Sequence, residues 1–600
     1  MEEAAKTKDE NILTGIPASS GIVIGKAYVI DRHMICVLER ALAESEIAAE
    51  ISRFLDAVDA SLNEMIELAD KAASEFGESA PTFIFDAHAQ ILRDQAMIRE
   101  VEEIIKQRKC NAEWALKILL EKFQKSFSRI KDHYFRERLS DIEQVVGRIQ
   151  RHLIHEDTQS LAGLKDPVII VAHDLSPADT LSLSGARVIG FATDAGGKTS
   201  HAGIIASSMD IPAVVGLKNL SMRVRSGDPV IVDGNNGEVV HLPTKDQFLK
   251  YIKRRQRYIY FDREVHAQKH LEAVSRDGVK VSVMANIESS HDLAHLAEHG
   301  ADGVGLYRTE YLYINRLKWP DEAEQFADYM KVAQAVGANH AVIRTLDIGG
   351  DKIALTGEFY EPEPNPALGL RAIRYCLAYP EVFRIQLRAI LRASHYGHLK
   401  IMYPMITSIE EVDAANAILE SVKEELRKEG QPFDDGIEVG IMIETPSSVV
   451  MAEELARRCS FFSIGTNDLI QYTMAIDRVN ERVAYLYQPF SPAIVRMLLQ
   501  TVRAAEKAGI TVSVCGKMAG DPASAFLLLG MGAVRELSMD VHSIPKLKKL
   551  IRSVSVREAS SMVEQALTMN ATDDIRDYVN ASLKTLAPEG IGATISDNGD

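Results

Sequence analysis

Apolar residues fall into two patterns along this chain: spacings of three and four, and short β-branched runs. The stretch ILTGIPASSGIVIGKAYVI (12–30) predicts two short strands around a Pro/Ser/Gly turn. From 37 to 155 the period lengthens, with Ile47, Ile51, Phe54 and Leu55, then Val101, Ile104 and Ile105, each set on one helical face. Only Pro81 interrupts this region, which predicts a bundle of about four long helices. Strand character returns at 167–172, 188–191, 212–216 and 230–234, with turns at Gly196, Gly227 and Gly234. The 12–30 strands are expected to join this later set, so that the helical segment is an insertion in one α/β domain. A polar helix over 244–274, with Lys250, Lys253, Arg254, Arg255 and Arg257, reads as a linker with a solvated face.

Beyond 279 the pattern is regular. Strand candidates lie at 279–285, 303–307, 341–346, 400–404, 439–443, 461–465, 511–515 and 536–539. Helical stretches such as 291–299, 321–337, 380–394 and 408–429 separate them. Eight successive βα units predict a (β/α)8 TIM barrel, with Met402 and Met405 in its core. The chain is therefore expected to be a multidomain α/β protein. It comprises a discontinuous α/β domain (12–36 and 156–243), an inserted helical bundle (37–155), a linker helix (244–274) and a barrel (275–584). A Gly- and Asp-rich tail, 585–600, is expected to be disordered.

Composition narrows the partners. At 600 residues the chain is too long for one core, and its 46% hydrophobic and 26% charged content is ordinary for globular domains. A net charge of -17 argues against nucleic acid and requires that any anionic substrate meet a local cluster of arginines. Five cysteines (Cys36, Cys110, Cys376, Cys459, Cys515) without paired spacing point to a reducing cytoplasm and not to disulfides or a zinc site. The opening MEEAAKTKDE has no apolar core of a signal peptide, and no apolar run reaches the ~18 residues of a membrane span.

Candidate chemistry falls in two places. Gly196-Gly197-Lys198-Thr199-Ser200-His201-Ala202-Gly203 reads as a tight turn opening into a helix, with Thr199 or Ser200 as its cap and His201 in the first turn. The free N–H groups there favour a neutral imidazole and stabilise an anion brought to it. That suits a histidine that accepts a phosphoryl group, although a histidine near a helix start with no chemistry fits the octapeptide equally well. The second place is the C-terminal ends of the barrel strands, where TIM-barrel function resides. Glu444 and Asp468, from adjacent strands, offer hard oxygen ligands suited to Mg²⁺. Arg308, Arg344, Arg371 and Arg478 could converge on a small polyanion, Asn467 could donate to its oxygens, and Cys515 could act as a general acid. Singly, each carboxylate also reads as a cap and the cysteine as packing. Their repeated placement on one face favours a site.

The chain resembles the enzyme I family, the phosphoenolpyruvate–protein phosphotransferases of the bacterial sugar phosphotransferase system. The likeness is carried in order by GIPASSGIVIGKA, VAHDLSPADT, TDAGGKTSHAGIIA, IPAVVG, DGNNGEVV, GADGVGLYRTEYLY, IRTLDIGGDK, NPALGLRAIR, QLRAILRAS, MYPMI, GIMIETPSS, FFSIGTNDLIQYTMAIDR and VCGKMAGD. The resemblance implies that His201 is phosphorylated by phosphoenolpyruvate, supported by Thr180, and passes the group to the small carrier protein HPr. It implies Mg²⁺ ligands at Glu444 and Asp468 and substrate contacts from Arg308, Arg344, Asn467, Asp468 and Arg478, with Arg371 added. Cys515 is then the proton donor that turns the enolate into pyruvate. The α/β domain is the phosphohistidine domain, the bundle docks HPr with His88 as a candidate contact, and the barrel forms a cytoplasmic homodimer.

One departure is Lys517, where the family usually has glutamate; a cation there is expected to lower the Cys515 pKa and weaken it as a proton donor. An HPr-like carrier of the nitrogen-related system remains an alternative partner. A pyruvate phosphate dikinase-type enzyme shares the histidine and barrel motifs, but no Gly-rich nucleotide loop precedes Gly196. A signalling protein with His201 as a regulatory relay is the remaining rival.

Overall fold

Strand β3 (Ile22–Ile30) organises the N-terminal region. In this computed structural model it pairs parallel with β4 (Val168–Ala172), in register from Lys26↔Val168 to Ile30↔Ala172, and antiparallel with β7 (Pro229–Asp233). The structure describes residues 11–30, 39–76, 88–127, 133–154, 166–175, 187–196, 203, 206, 211–313, 318–337, 339–349, 363, 365–478, 480 and 482–587. Two units divide at Tyr258.

The first unit holds an eight-stranded sheet. Its order is β1 (Ile12–Thr14), β8 (Glu238–His241), β7, β3, β4, β5 (Val188–Thr193), β6 (Ala213–Val215) and β2 (Ile16–Ser19). Every residue of β4 is buried, which explains its unbroken Val-Ile-Ile-Val-Ala run: a central strand covered on both faces has no polar side. Three strands occupy 12–30, not two, because β1 and β2 go to opposite edges of the sheet. Gly15 makes that crossing possible, since a Cβ there would lie 2.5 Å from Val215 O. The short β8, not expected from its four residues, forms a hairpin with β7.

Between the parallel neighbours β3 and β4 the chain forms helices Ile47–Phe76, Gln95–Arg108, Ala112–Phe127 and His133–Ile154. Phe54, Val101, Leu116, Leu119 and Ile149 are fully buried in their shared core. Arg53 ties three of them, with Nη2 2.6 Å from Glu50 Oε1 and 2.8 Å from Glu113 Oε1, and Nη1 donating to Leu153 O. His88 is 2% exposed, with Ala89 and Leu92 turned inward after it. His88 is therefore a buried ring beside the bundle core and not an exposed helix histidine. The linker segment contains helix Lys245–Ala267.

The second unit is a closed barrel of eight parallel strands. They are β9 (Ser282–Ile287), β10 (Val304–Arg308), β11 (Ala341–Arg344), β12 (Leu399–Tyr403), β13 (Val439–Ile443), β14 (Phe461–Ile464), β15 (Thr511–Val514) and β16 (Val534–Met539). β16 closes on β9 in register from Glu536↔Ser282 to Met539↔Ala285. Leu306, Val342, Met402, Met442, Phe461 and Cys515 form a separate buried cluster, while Met405 joins the larger core. Helix Thr572–Leu586 extends into the expected tail, whose residues from 588 lie outside those described. Among the described residues, no helix is long and apolar enough to cross a membrane.

Candidate active site at the barrel mouth

Arg344 is the last residue of β11, and its side chain is drawn into the strand-end face, 8% exposed. Nη2 donates to Glu310 Oε1 at 2.7 Å and Nη1 lies 2.9 Å from Asp347 Oδ2. Burial opposes the charge, but Glu310, Asp347, Glu444 and Asp468 outweigh it and hold the guanidinium firmly protonated. Asp347 Oδ1 in turn accepts from Arg371 Nη2 at 2.6 Å, and Arg371 Nη1 donates to Tyr472 Oη at 3.3 Å. The Nε atoms of Arg344 and Arg371 are buried without a hydrogen-bond partner among the described residues. Buried guanidinium donors left over in this way are what an anionic ligand satisfies.

Glu444 follows β13 directly and is 1% exposed, with Oε1 accepting from Met405 N at 2.7 Å. Gly465 gives it room, for a Cβ there would lie 2.8 Å from Glu444 Oε2. Burial, then the negative charges of Asp468 and Asp347, pushes the Glu444 carboxyl up to about 8, against the pull of Arg344. Asp468 sits in the first turn of helix Thr466–Thr473, 9% exposed, with Oδ1 3.2 Å from Arg478 Nη1. Burial and the negative charges beside it make the ionised form of Glu444 costly, and a divalent cation held by Glu444 and Asp468 would supply the positive charge that offsets this; the donor set fits one.

Asn467 Oδ1 accepts from Lys517 N at 3.0 Å and Tyr487 Oη at 3.2 Å, which leaves its Nδ2 as the donor. Cys515 directly follows β15 and is 3% exposed; Ser463 Oγ donates to Sγ at 3.2 Å, and Sγ lies 3.7 Å from Ile464 O. Burial pushes the thiol up to about 11, while Ser463, Arg344 and Arg308 pull it down and Glu444 adds to the rise. The net shift of Cys515 is thus upward, opposite in direction to the lowering expected from Lys517. Its side chain is exposed, and desolvation of Sγ dominates. The Cys515 carbonyl accepts from Asn286 Nδ2 at 2.9 Å, and Asn286 Oδ1 accepts from Ser538 Oγ at 2.6 Å.

Arg308 ends β10, paired with Glu288, and its charge reaches Cys515. Seven sequence candidates (Arg308, Arg344, Arg371, Glu444, Asp468, Arg478, Cys515) thus act on one another, and Asn467 lies beside Asp468. His201 and Thr180 lie outside the described residues. The chain before the His201 segment is described: β5 ends at Thr193, and the buried Asp194 accepts from Leu220 N and Ser221 Oγ, both at 2.5 Å. Gly196 has φ +97, a conformation that favours glycine. Glu310 and Asp347, just past the ends of β10 and β11, were not singled out from the sequence, and their pairing with the two arginines gives them their role. Ser463 and Asn286 gave no signal, since one Ser or Asn within an apolar run has no signature.

Residues 262–556 match the family described as PEP-utilising enzyme, PEP-binding domain. Residues 14–138 match its N-terminal domain and 164–237 its mobile domain. The phosphoenolpyruvate-protein phosphotransferase of Staphylococcus aureus is 41% identical over 573 residues, covering 96% of this chain and 100% of its own. That of Bacillus subtilis (strain 168) is 44% identical over 572 residues, covering 95% and 100%. A solution structure of enzyme I (nEIt) is 35% identical, covering 41% of this chain and 99% of its own, with a TM-score of 0.35. With identity of this order running through both sheet and barrel, the chain belongs to the enzyme I family of phosphoenolpyruvate–protein phosphotransferases and is an enzyme of phosphoenolpyruvate-dependent phosphotransfer.

Proposed function

We propose that the enzyme takes the phosphoryl group of phosphoenolpyruvate onto His201 and passes it to a histidine of HPr or an HPr-like carrier, the first step of the sugar phosphotransferase system. The observation that carries this reading is the arginine–carboxylate–thiol cluster at the barrel mouth. Four guanidiniums suit a small molecule with both a phosphate and a carboxylate, because each planar fork matches two oxygens. The free Nε atoms of Arg344 and Arg371 and the Asn467 amide are the donors that remain for it. Glu444 and Asp468 would hold Mg²⁺, whose chemistry there is to draw charge from the phosphoryl oxygens.

His201 attacks phosphorus as a neutral imidazole, with Thr180 beside it, and the P–O bond to the enol oxygen breaks. The electron pair passes to the enolate, and Cys515 Sγ–H delivers a proton to its carbon to release pyruvate. A thiol held protonated across the neutral range is suited to that step. In this reading 12–36 with 156–243 carries the phosphohistidine, 37–155 receives the carrier, and 275–584 binds substrate and pairs with a second copy. The described cysteines are all free, in keeping with the cytoplasm. The test is incubation with ³²P-labelled phosphoenolpyruvate, Mg²⁺ and each candidate carrier. Label is expected on the enzyme and then on the carrier; undiminished transfer by His201→Ala would overturn the assignment.

A further inference from the structure

A second group of metal-competent side chains lies away from the barrel mouth. Helix Leu293–His299 follows β9 and carries His295, Glu298 and His299. Residues three and four apart share one helical face, so both imidazoles and the carboxylate project together. One ligand atom of each lies within 4.8 Å of the other two, a span a single cation can bridge. His299 Nδ1 lies 3.0 Å from His295 O. A carbonyl only accepts, so Nδ1 carries the proton and Nε2 keeps its lone pair, the arrangement that readies a histidine ligand. His295 Nδ1 is 3.2 Å from Glu298 Oε2. From another element, the turn Val541–Ser543 after β16, His542 brings its ring centroid to 4.9 Å from that of His299.

We propose that His295, Glu298 and His299, with His542 against them, form a binding site for a divalent cation of the zinc class. Imidazole donors select Zn²⁺, Ni²⁺ or Cu²⁺ over Mg²⁺, which prefers oxygen, so this site and the Glu444–Asp468 pair differ in chemistry. Its position gives it a role. β9 and β16 are the strands that close the barrel, the helix follows one and the His542 turn follows the other. A cation held from both sides braces the closing seam.

The test uses the full-length protein, stripped of metal and kept in excess Mg²⁺ so that carboxylate sites are filled, then dialysed against Zn²⁺. Wild type is expected to retain a Zn²⁺ ion that the His295→Ala/His299→Ala variant loses. An outer-shell partner alone is worth about 10–100-fold in metal affinity, so losing two direct ligands should weaken binding by more than roughly 100-fold. Co²⁺ in place of Zn²⁺ should give a visible absorption band in wild type that is missing from the variant. Zn²⁺ should also raise the thermal midpoint of wild type only. Equal Zn²⁺ content and affinity in the two proteins, or no Zn²⁺ retained by wild type, would overturn the site. Phosphoenolpyruvate-dependent labelling in Mg²⁺ should be the same in both.

Discussion

Asp347 Oδ2 lies 2.9 Å from Arg344 Nη1, and its other oxygen holds Arg371 at 2.6 Å. One carboxylate thereby sets the separation of two guanidiniums that face the same mouth. Asp347→Asn keeps the shape and removes the charge, while Glu310 still pairs with Arg344 and keeps the variant folded. The KM for phosphoenolpyruvate is expected to rise about tenfold, roughly 1.4 kcal/mol, with a smaller change in kcat. Steady-state kinetics check it, and an unchanged KM would show that Asp347 does not position the arginines for substrate.

The metal assignment predicts loss of turnover on chelation and its return with divalent cation. Glu444→Gln preserves the volume of a side chain with 1% exposure but removes an anionic oxygen ligand. The cation concentration for half-maximal rate should rise by more than about 100-fold. Titrating each protein with Mg²⁺ decides the matter.

Cys515 carries a prediction with a definite sign. Its folded pKa, about 11, exceeds the roughly 8.5 of an unfolded thiol, so the native state holds its proton more tightly. The resulting stabilisation is complete below pH ~8.5 and is lost as pH rises through about 11. Urea midpoints of wild type should therefore fall more steeply over that window than those of Cys515→Ala. The same variant should turn over about 10²–10⁴-fold more slowly. Because burial sets this pKa, Lys517→Glu is expected to leave the neutral pH–rate profile unmoved.

Asn286 joins the Cys515 carbonyl to Ser538 on β16, next to the seam where β16 meets β9. Asn286→Ala leaves a carbonyl and a hydroxyl without that partner and should cost about 1–3 kcal/mol. Calorimetric unfolding measures this; no change in midpoint would mean that water replaces the amide.

Much of this architecture was legible from local pattern. The eight barrel strands lie where the apolar runs placed them, because a buried parallel strand is mostly apolar on both faces. The arginines and carboxylates were legible as a set, since charges that recur directly after such runs gather at one barrel mouth. The sheet had two exceptions: 12–30 holds three strands and not two, and the Glu-Val-Val-His of β8 is too short to show alternation.

What the sequence alone determined is thus the alternation of elements, the helical excursion from one α/β sheet, and the inventory of chemical groups at strand ends. Tertiary structure decided how those groups act. That Asp347 spans Arg344 and Arg371, that Ser463 reaches the Cys515 sulfur 52 residues away, and that His88 turns inward depend on which segments a closed core brings together. Desolvation has the same origin: it raises Glu444 and Cys515 because of what surrounds them in space, and no neighbour in the chain, Lys517 included, reports it.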